Sequence, residues 1–275
     1  MSRGLCGHLE LVCALDSRGL SVLRHQSFRA PMHLSKPHLD ADTLVVNIVN
    51  PTAGLLDGDR IECRATVEPG ARLLLTTPSA SRAHRMREDS AELRQELRVE
   101  AGGFLEFWPE LFIPQGGTRY SQRTELHVAE GGELLFFESL APGRVAFGEA
   151  FAFHELNWAT DLRCAGELVA RERYRLTPDG EAVRTLRAAF PEAYYASGFV
   201  VSPRLDDRHP CWERLHALHT PEAWVGCGRL ARGGWVIKCL AAGSVALRRV
   251  LNTVRQELYT ALEHPAPALR RAGSA

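Results

Sequence analysis

What this sequence lacks excludes several classes of protein. No apolar run approaches the length of a membrane-spanning helix, about 20 residues. The N-terminal apolar stretch is interrupted by His8 and Glu10, so it makes a poor signal peptide. The seven cysteines are scattered and form no C-x-x-C pair, which argues for reduced thiols and against a disulfide scaffold or a zinc ribbon. We therefore predict a soluble, cytoplasmic protein.

An excess of charge of one sign is also lacking. The 33 basic residues balance the 33 acidic ones, so no net field draws the chain to nucleic acid or to an anionic membrane. Only two of the basic residues, Lys36 and Lys238, are lysines. Arginine makes forked hydrogen bonds that suit protein interfaces, although genome base composition explains this bias equally well. The composition predicts no nucleic-acid partner and no membrane partner.

The motifs of conventional enzymes are absent as well. The sequence has no G-x-x-x-x-G-K-[ST] run, which excludes a P-loop nucleotide switch, and GCGRLA at Gly226 does not meet the dinucleotide fingerprint. It also has no G-x-S-x-G elbow, no H-E-x-x-H helix and no convincing acid pair or metal triad. We predict that the protein is not an enzyme, with no catalytic residues and no tightly bound cofactor.

What the sequence does contain is a repeated β unit. VEPGARLLL at Val67, VEAGGFLEF at Val99 and VAEGGELLF at Val128 recur at intervals of 32 and 29 residues, each as strand, glycine turn and strand. In the first copy, residues 61–67 alternate as a half-buried strand does, whereas residues 73–77 form a more buried one. A single hairpin is marginally stable in water, so the units must stack or pair. The sequence predicts a mainly β fold, a layered body of stacked β-hairpins.

Helical patterns occur in two places. A proline in the first turn and a short apolar stripe predict a helix at about 210–219, and a longer stripe predicts a second one at 244–263. Thr177-Pro178-Asp179-Gly180 is interpreted as another hairpin turn. We assign residues 1–275 to one β-rich domain, in which residues 264–275 form a flexible tail.

Four blocks carry a family resemblance. NPTAGLLDGDR at Asn50, LLLTTPSASR at Leu73, LEFWPELFIP at Leu105 and APGRVAFGE at Ala141 follow one another in this order, and a weaker match continues through VGCGRLARGGWVIKCLAAGSVALRRVL near the end. In these blocks the sequence resembles the urease accessory protein family UreD, called UreH in some bacteria. The residues that match the family motif are Asn50, Pro51, Gly54, Gly58, Asp59, Arg60, Thr76, Thr77, Pro109, Gly143, Arg144, Gly148 and Glu149. The sequence departs from the commoner pattern at Ala53, Asp57 and Lys238, where glycine, glycine and arginine are more usual.

The resemblance implies a function and a set of partners. A protein similar to this family is expected to be a metallochaperone scaffold. Such a scaffold binds apo-urease together with a helical adaptor (UreF-like) and a GTPase (UreG-like). The resemblance therefore implies a urease maturation protein that handles nickel transiently, with dimeric assembly through the adaptor as a further option. The alternatives are a β-rich ligand-binding or hydrolytic protein unrelated to urease, and a stand-alone metal buffer.

Six carboxylates at strand ends or turns are the candidates for a transient nickel route, because carboxylate oxygen suits divalent cations. They are Asp57, Asp59, Glu106, Glu110, Glu138 and Glu149. In a chain with 33 acidic residues they can equally be unremarkable. Asp59 is interpreted as a solvated turn carboxylate beside Gly58, which the turn requires at positive φ.

The densest set of other metal-binding side chains lies near the first predicted helix. It consists of His209, Cys211, His216 and His219. On a helix, His216 and His219 share a face, and Cys211 lies well off that face. No recognised ligand motif is present, so ordinary packing is the favoured interpretation and the metal ligands stay unassigned.

Overall fold

The computed structural model of the protein describes residues 4–52 and 54–269, so Ala53 and the last part of the predicted tail, residues 270–275, lie outside the described residues. The strands are β1 (Cys6–Leu15), β2 (Ser21–Arg29), β3 (His33–Leu34), β4 (His38–Asp40), β5 (Thr43–Val49), β6 (Arg60–Val67), β7 (Arg72–Thr76), β8 (Ser81–Ala83), β9 (Ala91–Val99), β10 (Phe104–Trp108), β11 (Phe112–Pro114), β12 (Arg119–Val128), β13 (Glu133–Leu140), β14 (Glu155–Cys164), β15 (Glu167–Leu176), β16 (Tyr194–Val201), β17 (Ala223–Arg229) and β18 (Trp235–Ala241). The helices are α1 (Glu181–Ala189), α2 (Cys211–His216) and α3 (Ser244–Leu262), and a 3₁₀ turn covers Val145–Phe147. Within the described ranges, none of these helices combines the length and the apolar character needed to cross a bilayer.

Two sheets form the body of the molecule. Sheet A has the strand order β15-β14-β12-β9-β6-β1-β2, and sheet B has the order β17-β18-β16-β13-β10-β7-β5-β3. In the centre of each sheet the neighbours are parallel: β6, β9, β12 and β14 in sheet A, and β5, β7, β10 and β13 in sheet B. The chain alternates between the sheets, so each repeated unit adds one strand to both and the units stack as coils of a β-solenoid.

Residues that occupy the same position in successive sequence repeats lie next to one another on adjacent strands. Val67, Val99 and Val128 are direct neighbours on β6, β9 and β12. The glycine in the turn after each valine has a φ of 71° to 76°, which glycine adopts without strain. The predicted mainly β, stacked body is confirmed, with 48% strand and 14% helix. The pairing predicted inside each unit is wrong, because the glycine turn carries the chain from one sheet to the other and both strands pair with adjacent units.

The difference in burial between the two strands of a unit is confirmed. In the first unit, β6 in sheet A alternates between buried and less buried positions, whereas four of the five residues of β7 in sheet B are buried. All five residues of β10, the sheet B strand of the second unit, are buried as well. Sheet B lies between sheet A and α3, so its strands are covered on both faces. Strands of this kind have nearly continuous apolar sequences. Thus Leu73 and Leu105 pack in the core between the sheets, while Leu74 and Phe104 pack in the core that includes α3.

The helices agree with the sequence in part. Helix α3 covers the stripe predicted at 244–263, and α2 is present but ends at His216, after which the chain continues in three-residue turns. Helix α1 was not predicted. The turn signal at 177–180 does not close a hairpin; Gly180 is extended and begins α1, which buries Val183 against the core.

The connections at the two ends of the sandwich differ in length. Short turns lead from sheet A to sheet B, at 68–71, 100–103 and 129–132. Long loops lead from sheet B back to sheet A, and these are residues 50–59, 77–90, 109–118 and 141–154. The carboxyl ends of the parallel sheet B strands meet at one edge, so these loops are gathered there. We call this edge the long-loop end, and it holds nearly all the family-motif residues.

Candidate functional site

A cavity of about 270 Å³ lies between the sheets at the long-loop end. Loop residues that include Gly54, Thr77 and Glu110 form its mouth. Its walls are apolar and are formed by Ile48, Ile61, Leu93, Phe107 and Phe112. Its floor is polar and consists of Gln95, Tyr120, Gln122, Glu138 and Trp158. The cavity therefore leads from an exposed loop region to polar groups enclosed between the sheets.

Hydrogen bonds hold Glu138 at the centre of this floor. Trp158 Nε1 donates to Glu138 Oε2 over 2.9 Å, and Gln95 Nε2 donates to Oε1 over 3.3 Å. Gln122 Nε2 also donates to Oε1, and Gln122 Oε1 accepts from the Tyr120 hydroxyl over 2.8 Å. Strands of both sheets supply these groups, so the carboxyl orientation depends on the packing of the whole sandwich.

Burial raises the pKa of Glu138 to about 7, and the negative charge of Glu172 adds to this effect. The hydrogen bonds from Trp158, Gln122 and Gln95 act in the opposite direction, because they favour the ionised form. Glu138 is surrounded by protein, and the surface it retains borders the cavity. Near neutral pH the carboxyl is therefore close to the point at which it gains or loses its proton.

A second, smaller cavity lies on the other side of Glu138. Its volume is about 10 Å³, roughly the space that one water molecule needs. Glu172 of β15 borders it together with Tyr195 and Ser197 of β16. Glu172 accepts hydrogen bonds from the Tyr195 hydroxyl over 3.1 Å and from Ser197 Oγ over 2.8 Å, and it forms an ion pair with Lys238. Glu138 borders both cavities and thus lies between them.

Of the six candidate carboxylates, Glu110 and Glu138 border the main cavity. The carboxylate of Asp57 instead accepts hydrogen bonds from backbone N–H groups of residues 87–89, and these bonds lower its pKa. Asp59 is only 1% exposed and accepts from the N–H groups of Leu5 and Leu56 over 2.8 Å each. The interpretation of Asp59 as a solvated turn carboxylate is therefore wrong, since it ties the N-terminal strand to the loop.

Glu106 and Glu149 also make structural contacts. Glu106 is fully buried on the opposite face of sheet B, where Arg255 of α3 donates to its two oxygens over 2.5 and 2.8 Å. Glu149 accepts two hydrogen bonds from Arg144, which lower its pKa, and one from the Gly116 N–H over 2.9 Å. Neither carboxylate lines the main cavity or the small one.

The family-motif residues shape the mouth rather than the floor. Asn50 Nδ2 donates to the Gly54 carbonyl over 3.2 Å and closes the first loop. Thr77 Oγ1 accepts from the Glu110 N–H over 2.9 Å, which links the second loop to the third. Gly143 has a φ of 148°, and a Cβ atom there would lie 2.1 Å from the Glu149 carbonyl oxygen. These contacts fix the loops around the cavity.

The sequence reasoning missed most of the polar floor. On β12, Gln122 and Thr124 are buried while Ser121, Arg123 and Glu125 between them are more exposed. Polar side chains at the inward positions of an alternating strand are unusual, because buried polar groups need partners. This signal was present in the sequence and would have pointed to the interior of the sandwich.

The histidines near α2 do not meet at one point. Cys211 is buried in the core, whereas His216 and His219 are exposed and His219 stacks near the Trp224 ring at 6.1 Å. In the part of the chain that the structure describes, no three His, Cys, Asp or Glu side chains are grouped so that they could hold a metal ion.

The fold and the site define a stacked β scaffold with an interior cavity that ends at a carboxylate. Known proteins are similar to this chain over nearly its whole length. The model of the family described as UreD urease accessory protein matches residues 5–272. The urease accessory protein UreD of Opitutus terrae is 41% identical over 259 residues, which cover 93% of this chain and 94% of that protein.

Two further relatives agree. UreD 2 of Streptomyces griseus is 33% identical over 283 residues, covering 96% of this chain and 93% of that protein. UreD of Herpetosiphon aurantiacus is 29% identical over 262 residues, covering 94% and 89%. This chain therefore belongs to the UreD urease accessory protein family, the non-catalytic accessory proteins of urease maturation. The resemblance seen in the sequence is confirmed.

Proposed function

We propose that this protein is a scaffold that conducts nickel to apo-urease, in a complex with a UreF-like adaptor and a UreG-like GTPase. Family membership supports the accessory role. The observation that carries the route is the position of Glu138, which borders both cavities. We infer that Glu138 exchanges its proton for the arriving cation. Nickel is the cargo of this route.

The ligands along the cavity suit transit better than storage. Glu110 stands at the mouth and Glu138 at the floor, so an ion meets carboxylates one after another. Oxygen donors hold Ni²⁺ less firmly than imidazole or thiolate groups, and a single carboxylate does not close a coordination sphere. An ion that enters this cavity can therefore leave it again, as delivery to urease requires.

The hydrogen bonds at the floor assist this exchange. Gln95 and Gln122 each carry an amide oxygen beside the amide nitrogen that donates to Glu138, so a rotated amide can offer the ion a neutral ligand. Loss of the Glu138 proton on arrival of a divalent cation places one negative charge beside the ion, which lowers the uncompensated buried charge from two to one. We infer that Glu138 is the central residue of the route and Glu110 its outer one.

The test is urease activation by the Glu138→Gln variant, co-produced with the adaptor, the GTPase and urease. We expect the complex to form normally in pull-down assays, while urease activity and nickel content fall severalfold. Glu130→Gln is the matched control, because Glu130 lies on an exposed turn at the opposite end of the sandwich. Full activation by Glu138→Gln would remove Glu138 from the route. A lost complex would make it an assembly residue instead.

A further inference from the structure

A lysine ammonium occupies an oxygen-lined position at the far side of the small cavity. Lys238 Nζ donates to Glu172 and to Ser197 Oγ, the latter over 2.7 Å. The Tyr195 ring lies 5.7 Å from the same nitrogen. The Lys238 side chain is 38% exposed and that of Glu172 is 19% exposed, so the ion pair stands at the boundary between interior and solvent.

The sheet register links this position to Glu138. Glu138 on β13 is opposite Ser197 on β16, Ser197 is opposite Lys238 on β18, and Lys238 is opposite Gly226 on β17. Residues directly opposite one another across neighbouring strands point to the same face of a sheet. A row of side chains therefore runs along the inner face of sheet B, from an enclosed carboxylate through a hydroxyl to an ammonium.

The row ends in open space. Sheet A stops at β15, while sheet B continues through β18 and β17, so the inner face of these last strands extends past the edge of sheet A. A Cβ atom built on Gly226 would meet no other atom within 4 Å. Because the lysine stem is flexible, the Lys238 ammonium has room to swing away from Glu172 over Gly226.

We propose that Lys238 is a tethered cation that closes the far end of the nickel route, at a second cation site formed by Glu172, Ser197 and Tyr195. This inference rests on the proposed function. The ammonium fills the position that a divalent ion takes on its way out, and the arriving ion displaces it. An ion pair as exposed as this one is weak, so a doubly charged ion competes effectively for the carboxylate.

Lysine suits this task better than arginine. Its ammonium is a compact charge on a rotatable stem, whereas a guanidinium holds a carboxylate through two parallel hydrogen bonds. The Lys238→Arg variant should therefore keep the far end closed more firmly.

The test is calorimetric titration of the full-length protein with Ni²⁺. Lys238→Met removes the charge and retains an apolar stem of similar length. We expect it to bind Ni²⁺ at least about tenfold more tightly, the effect of removing one positive charge beside a divalent ion even at the dielectric constant of water. Lys36→Met is the matched control, since Lys36 is the other lysine of the chain and is exposed. Adding Glu172→Gln to Lys238→Met should abolish the gain.

Unchanged Ni²⁺ affinity in a folded Lys238→Met protein would overturn the proposal. If that variant fails to fold, Lys238→Arg decides: Ni²⁺ affinity lower than that of the wild type supports the closure, and equal or higher affinity contradicts it. These outcomes are separate from those for the route itself. Normal urease activation by Glu138→Gln would refute the proposed route through Glu138. Unaltered Ni²⁺ affinity in Lys238→Met would refute only the proposed closure by Lys238.

Discussion

Replacing Glu138 with glutamine should change the pH dependence of folding stability. Burial raises the pKa of this carboxyl from 4.5 to about 7, so between these values the folded protein holds a proton that the unfolded chain has lost. The stability of the wild-type protein therefore falls as the pH rises through this window, and the full loss is present above pH 7. A shift of this size corresponds to about 3 kcal/mol. Glutamine does not titrate, so the variant lacks this loss.

The comparison isolates the effect of ionisation, because the protonated Glu138 carboxyl and the glutamine amide of the variant resemble each other in shape and polarity. A protonated carboxyl and a glutamine amide each bring one donor group among the donors Trp158, Gln95 and Gln122, so their difference at acid pH is small. The free energy of unfolding of Glu138→Gln should therefore equal that of the wild type at about pH 4.5 and exceed it by about 3 kcal/mol above pH 7.

Urea unfolding at a series of pH values, followed by tryptophan fluorescence, measures this gap. Glu130→Gln serves as the control for removing a carboxylate from the surface. The reasoning is refuted if the difference between wild type and Glu138→Gln stays constant from pH 4.5 to 8. That result would mean that Glu138 is as well solvated in the folded protein as in the unfolded chain.

The remaining predictions concern contacts that hold the scaffold together. Glu106→Ala leaves Arg255 buried without its partner and should lower the free energy of unfolding by about 3–5 kcal/mol in urea titrations; a loss below about 1 kcal/mol would contradict the buried pair. Asp59→Ala removes an acceptor from two backbone N–H groups and should cost about 1–3 kcal/mol. Faster hydrogen exchange in the N-terminal strand would reveal this loss, and unchanged exchange would contradict it. Gly143→Ala places a Cβ atom 2.1 Å from the Glu149 carbonyl oxygen and should lower the melting temperature, and a melting temperature equal to that of the wild type would show that the loop adapts.

The stacked β body could be predicted from the sequence because its evidence is local. Each repeat shows an alternating strand, a glycine turn and an apolar strand close together in the sequence, at residues 61–77 in the first copy, and these features need no knowledge of distant residues. Strand pairing could not be predicted in this way. A short glycine turn fits a hairpin as well as a crossing between two sheets. The nearly continuous apolar sequence of β10, FLEFW, was the available clue, because it indicates a strand covered on both faces, and such a strand fits poorly beside a half-exposed hairpin partner.

The candidate site shows the same limit at the level of single residues. Glu106 and Glu138 both follow apolar residues on buried strands, and both are plausible interior carboxylates. In the register, Glu106 stands opposite Leu135, so it points to the α3 side of sheet B, whereas Glu138 points between the sheets. A shift of one residue exchanges the two faces of a strand. Only the register, together with Arg255 from a distant helix, separates their roles.

The most direct test of the central claim is to fill the cavity without changing its charges. Leu93 lines the cavity wall, and Leu93→Trp would occupy part of its volume with an apolar side chain. Leu39→Trp, at the exposed position of β4, is the control for adding the same bulk elsewhere. The measurement is the nickel content of urease purified after co-production with each variant and both partners. The account predicts that Leu93→Trp forms the complex yet leaves urease nearly free of nickel, and full nickel loading by this variant would contradict it.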